Sequence, residues 1–167
     1  MLERHINNPR CMTSKRKEIT RRVEGIRSFV PGTRIAPVDL EDATGNKTNV
    51  KFMNKENKYQ LLVFYDSDCE HCEQLLAELQ KWYEMPENNA WFNIYSVALD
   101  DNRLKWAEHH NKLALPWTDL YAPGGVNSTA ASNFFVLSTP NMFIIDARGV
   151  LVDSPATMDE LNKFWNQ

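Results

Sequence analysis

Two cysteines two residues apart, in Cys69-Glu70-His71-Cys72, carry the most distinctive chemistry in this chain. On the first turn of a helix, residue i+3 returns beside residue i, so thiols at this spacing can close a disulfide and reopen it by exchange. The first of them meets the helix N-terminus, where unpaired N–H groups and the positive end of the dipole favour thiolate over thiol. Cys69 is therefore the expected nucleophile. Cys72 is the resolving thiol that would collapse a mixed disulfide and release the partner. A zinc site would need two more ligands, and the sequence holds no second C-x-x-C and no H-x3-H. His109 and His110 are adjacent, so on a helix they diverge, and they read as part of a solvated face. No metal and no other cofactor is expected. The third cysteine, Cys11, reads as a free thiol on an N-terminal leader.

The surrounding pattern shows what positions the pair. Gln60 to Tyr65 is apolar on both faces, as in a central strand covered on each side. After the cysteines, Leu75, Leu76, Leu79, Trp82 and Tyr83 form one stripe of an amphipathic helix. Ala36–Leu40 and Asn49–Phe52 alternate around a Gly45-Asn46 turn and predict a hairpin. A strand is expected over 92–99, a helix over 103–112 and a looser stretch through Pro116. A short helix near 127–134 should follow. A second hairpin joins Met142–Ile145 to Val150–Val152, and a final helix spans Met158–Trp165. Ahead of all this, Ile19, Val23, Ile26 and Val30 recur at helical spacing, with Thr13 or Ser14 as N-cap and Pro31-Gly32 as the stop. The order implies an α/β fold: a mixed sheet with helices on both faces, preceded by an N-terminal helix. Residues 1–31 form the leader and residues 32–167 the domain.

At 167 residues, with 43% hydrophobic and 25% charged side chains, the chain suits one packed domain. Its net charge of −3 hides a basic leader and an acidic remainder. The leader's bases punctuate a helical pattern with no interleaved aromatic residues, so no nucleic-acid partner is expected. No apolar run approaches membrane-spanning length. The first residues lack the apolar core of a secretory signal. Any membrane tether would have to come from a segment outside this sequence.

Three features together resemble the TlpA-like thioredoxins. They are the opening Pro37-Val38-Asp39-Leu40, the apolar strand into Cys69-Glu70-His71-Cys72, and Ser138-Thr139-Pro140 before Met142-Phe143-Ile144-Ile145-Asp146. The resemblance covers about residues 32–166. It implies a thioredoxin-like domain and a cis bond at Pro140, with Thr139 and Pro140 exposing backbone for substrate docking. It further implies exchange with protein thiols and disulfides, an upstream redox donor, and export to the periplasm or the outer face of a membrane. The sequence departs from the pattern in three places, the first being Asp66-Ser67-Asp68, where the usual Trp before the motif is missing. Val63 and Leu75 stand where such proteins carry a carboxylate near the second cysteine. His71 occupies the position that is also His in oxidising DsbA-like proteins, and it would favour thiolate. Glu70, with Asp66, Asp68 and Glu73, would oppose it. Glu70 and His71 are thus the candidate tuning residues, and Asp68 a candidate N-cap. The expected activity is thiol–disulfide exchange, as reductase or isomerase rather than strong oxidant. The alternatives are a copper-binding protein using both thiolates, a peroxiredoxin-like peroxidase, and an inactive adaptor.

Overall fold

The computed structural model describes residues 13–166, and Cys11 lies outside them. The leader is helical over Thr13–Ser28 (α1). Val38–Glu41 (β1) and Lys47–Val50 (β2) pair antiparallel as a hairpin. Its turn is closed by the Asp42 carboxylate, which accepts from the N–H groups of Thr44 and Asn46, both at 2.9 Å. Then follow Tyr59–Tyr65 (β3), Glu70–Tyr83 (α2), Pro86–Trp91 (α3), Phe92–Ala98 (β4) and Arg103–Leu113 (α4). The chain continues through Thr118–Tyr121 (β5), a 3-10 turn at Gly125–Asn127 and Thr129–Asn133 (α5). Asn141–Asp146 (β6), Leu151–Asp153 (β7) and Met158–Trp165 (α6) complete it.

The seven strands form one mixed sheet in the order β2-β1-β5-β4-β3-β6-β7. β3 runs parallel to β4 and antiparallel to β6, so the strand that delivers the cysteines is enclosed on both edges. Its alternate residues feed two cores, as the period of a strand requires. Leu62 and Phe64 join Val38, Leu40, Val97, Phe134 and Phe143 on one face. Leu61, Val63 and Tyr65 join Cys72, Leu76, Leu79, Trp106 and Leu161 on the other. α2 docks on this second face through its apolar stripe, and burying a side chain such as Leu76 or Leu79 stabilises the fold by about 1.5–3 kcal/mol.

Two elements depart from the sequence expectation. The looser stretch after Pro116 contains β5, a sheet strand that joins β4 to β1. It is four residues long and carries a buried Asp119, so it gives no apolar signal. α3 begins with Pro86 at its first turn and is otherwise rich in Asn, which hid it. The leader differs in its seal. Of the expected stripe Val23 is buried, but Ile26 is 38% and Val30 48% exposed. Phe29 makes the main contact instead, edge-on to Phe134, Phe135 and Phe143 at centroid distances of 5.6–5.7 Å. Gly25 lets the Phe135 ring lie against the α1 backbone, where a Cβ would collide with it.

Candidate active site

β3 ends at Tyr65, and three residues later the chain turns into α2 with Cys69 as its N-cap. Cys69 takes extended dihedrals (φ −92°, ψ 107°), which let its carbonyl accept from the N–H of Glu73 at 3.1 Å. The Cys72 N–H points at Cys69 Sγ, 3.2 Å away. Asp68, a candidate for the cap, does not serve as one. The Cys69 sulfur takes that place, and the Asp68 carboxylate pairs instead with Lys105 on α4. Cys69 and Cys72 are joined as a disulfide, with Cα atoms 5.2 Å apart. Cys69 is half-buried whereas Cys72 is only 1% exposed, so Cys69 is the more accessible sulfur of the two.

The turn before Cys69 is held from beneath. The N–H and hydroxyl of Ser67 both donate to the buried Asp100 carboxylate, which follows β4. Burial raises the pKa of Asp100, and the Ser67 hydrogen bond works against that rise. The Asp66 carbonyl accepts from Cys69 N–H at 3.1 Å, and the Asp66 carboxylate accepts from Asp68 N–H at 2.8 Å. Nothing in the local sequence marked Asp100, because its partner lies 33 residues away.

The loop entering β6 brings Thr139 to the cysteines. Its carbonyl oxygen lies 3.9 Å from Cys69 Sγ, and the Thr139–Pro140 peptide bond is cis. Thr139 and Pro140 are both half-buried. Glu70 and His71 project from the first turn of α2, exposed and without a hydrogen bond or ion pair among the described residues. Four of the six candidate residues therefore meet at one point, and these two stand around it. Among the described residues no three His, Cys, Asp or Glu side chains are grouped to hold a metal ion.

A thioredoxin-like family profile matches residues 57–151, more than half of the chain. The chain belongs to the thioredoxin-like family. No curated protein matches the sequence. Among solved structures it is similar to a thiol-disulfide oxidoreductase from Bacteroides fragilis, at 22% identity and a TM-score of 0.69 over 80% of this chain and 98% of that one. It is also similar to the thioredoxin domain of a thiol-disulfide oxidoreductase from Bacteroides vulgatus, at 20% identity and a TM-score of 0.69 over 83% and 97%. A thioredoxin-like protein from Bacteroides caccae aligns over 98% of this chain and 58% of its own length, at 15% identity and a TM-score of 0.74. This chain spans 58% of the length of that one.

The sheet places a different carboxylate in the same row as Val63. Val63 pairs with Ser96 on β4, and Ser96 pairs with Asp119 on β5. A buried carboxylate does occupy this row, two strands or about 10 Å away. Asp119 accepts from Ser96 Oγ at 2.5 Å, Tyr65 Oη at 3.0 Å and Trp106 Nε1 at 3.1 Å, with His110 Nδ1 at 2.8 Å. The two histidines are therefore not a solvated face. His110 is tied to Asp119, whose hydrogen bond raises the imidazole pKa against the opposing effect of burial. His109 lies against the Tyr65 ring, with centroids 6.2 Å apart. The hub assembles from β3, β4, α4 and β5, and its one mark in the sequence was a lone Asp among Trp117, Leu120 and Tyr121.

Proposed function

We propose that this protein catalyses thiol–disulfide exchange with other proteins, as a reductase or isomerase, through Cys69 and Cys72. The observation that carries the reading is the asymmetry of the pair. Cys69 is accessible at a helix N-terminus with the Cys72 N–H directed at its sulfur, while Cys72 is buried one turn behind. In the reduced protein that N–H and the helix dipole stabilise the Cys69 thiolate. The thiolate attacks one sulfur of a partner disulfide, forms a mixed disulfide and releases the other partner sulfur as a thiolate. Cys72, deprotonated, then attacks Cys69 Sγ, which closes the Cys69–Cys72 disulfide and frees the second partner thiol. Two electrons pass to the partner, and an upstream dithiol donor restores the reduced pair.

The Thr139 carbonyl is the docking group in this reading, since a partner strand crossing Cys69 would pass within hydrogen-bonding reach of it. Glu70 and His71 tune the couple by their charge beside the thiolate. Family resemblance supports an exported location, which fractionation of cells carrying the native gene product tests.

The test of the activity is insulin reduction with dithiothreitol as donor. Cys69→Ser should abolish turnover. Cys72→Ser should accumulate mixed disulfides on Cys69, visible on non-reducing gels. Full turnover by Cys69→Ser would refute the assignment.

A further inference from the structure

Beside Thr139 the surface opens into a cleft of about 320 Å³ between α1 and the loop that enters β6. Its walls include Ile26, Phe29, Phe135, Leu137, Ser138 and Asn141, and no ionisable side chain lines it. Leu137 stands 52% exposed at its rim and Ile26 38% exposed on the helix side. A smaller recess of about 130 Å³ shares Ile26, Phe135 and Leu137 and continues along α1 past Arg21. There Glu18 is paired with Arg22 at 3.1 Å, and Arg21 makes no ion pair among the described residues. The two recesses share the Phe135 ring, which the backbone holds at a φ of 53°. That left-handed conformation is strained for a bulky side chain.

The cleft is tied to the cysteine site by the chain itself, since Ser138 lines it and Thr139 follows directly. Leu137 is two residues from Thr139, so extended chain covers the interval in about 7 Å. Charge is graded along the same path. Asp66, Glu70 and Glu73 surround the cysteines, the cleft is uncharged, and Arg21 lies beyond it.

Building on the exchange activity proposed above, we propose that this cleft selects the partner polypeptide. It takes an apolar side chain two or three residues from the partner's reactive cysteine, with a partner carboxylate beyond it facing Arg21. The leader helix supplies both Ile26 and Arg21, so it is part of the recognition surface.

The test uses the full chain and glutathionylated cysteine peptides carrying Leu and then Glu beyond the cysteine, placed on either side of it. Leu→Ser and Glu→Lys peptides are compared with the parent. Reduction of hydroxyethyl disulfide, too small to reach the cleft, reports the exchange chemistry alone and the integrity of each variant. Leu should outpace Ser by about tenfold, and both Leu137→Asp and Ile26→Asp should abolish that preference while the small disulfide reacts as before. Glu should outpace Lys by about threefold, and Arg21→Glu should reverse that order. Equal rates for Leu and Ser peptides would overturn the proposal, as would a preference that survives both cleft variants. Sedimentation showing a dimer that Leu137→Asp dissociates would assign the cleft to a second copy and also overturn it. Failure with hydroxyethyl disulfide would instead remove the exchange reading on which the proposal rests.

Discussion

Asp119→Ala should be among the most destabilising single substitutions in this domain. The carboxylate receives hydrogen bonds from Ser96, Tyr65 and Trp106 in a site where Asp119 is 5% exposed. Trp106 Nε1 retains a second acceptor in Tyr65 Oη at 3.1 Å, and Ser96 Oγ still accepts from Trp117 Nε1 at 3.0 Å. The hydroxyl protons of Tyr65 and Ser96 have no such alternative. Each buried donor left unpaired costs about 1–3 kcal/mol, and His110 loses its counter-ion as well, so the loss should total about 3–6 kcal/mol. With a urea m-value near 2 kcal/mol/M, the unfolding midpoint should fall by about 1.5–3 M. Asp119→Asn keeps one acceptor and should lose less. The same carboxylate predicts a pH dependence. His110 has a raised folded pKa, so its contribution is complete below its unfolded value of about 6.5 and is lost as pH rises through the folded value. The wild-type midpoint should therefore drop as pH rises above about 6.5 and through the raised folded value, and His110→Gln should flatten that drop. A midpoint for Asp119→Ala within about 0.5 M of wild type would refute the reasoning.

Ser67→Ala leaves the buried Asp100 carboxylate with the backbone N–H of residue 67, at 3.3 Å, as its one hydrogen-bond donor among the described residues. It should cost about 1–3 kcal/mol and slow insulin reduction, measured by urea unfolding and turnover. Gly25→Val puts side-chain atoms into the Phe135 ring, so it should cost about 1–3 kcal/mol and expose α1 to limited proteolysis. With Asp68 neutralised by Lys105, the acidity around the cysteines reduces to Asp66, Glu70 and Glu73. Cationic disulfide peptides should react faster than anionic ones at about 0.1 M salt and lose that advantage near 1 M, where the Debye length falls from about 10 Å to about 3 Å. Glu70→Gln should shrink the preference, and equal rates at low salt would leave these carboxylates without a part in partner selection.

The fold was legible where one element carries its own pattern. β3 shows an unbroken apolar run because both of its faces are covered, and α2 shows a stripe because only one is. What escaped depends on partners distant in sequence. β5 is short and is stabilised as a strand by pairing with β4, while its Asp119 is satisfied by side chains from three other elements. His109 and His110 look solvated in a helical projection, yet α4 lies with His110 against β5. The cysteines themselves were legible from type and spacing. The side chains fixing their approach, Ser67 with Asp100, were not, since a hydrogen bond across 33 residues leaves no periodic trace. In the leader the spacing gave the helix but not its docking, which rests on Gly25 and Phe29 meeting three aromatic rings.

The strands of the sheet are tied unequally. β3 pairs with β4 from Tyr59↔Phe92 to Tyr65↔Ala98 and with β6 from Tyr59↔Asp146 to Phe64↔Asn141. By contrast, β1 meets β5 at the single pair Glu41↔Tyr121. A side chain from another element fastens the hairpin, since Arg103 at the start of α4 donates to the Ala43 carbonyl at 3.0 Å and pairs with Glu41 at 3.4 Å. Under heat or denaturant, sub-global opening starts where few backbone bonds cross. The β1–β2 hairpin is thus the first flap to lift, with Arg103 as its latch. The β4–β3–β6 ribbon, which carries Cys69 at one strand end and Thr139 at the entrance to the next, is the last to part. Mild damage to this protein therefore frays the sheet edge farthest from the cysteine pair and leaves Cys69 beside the Thr139 carbonyl.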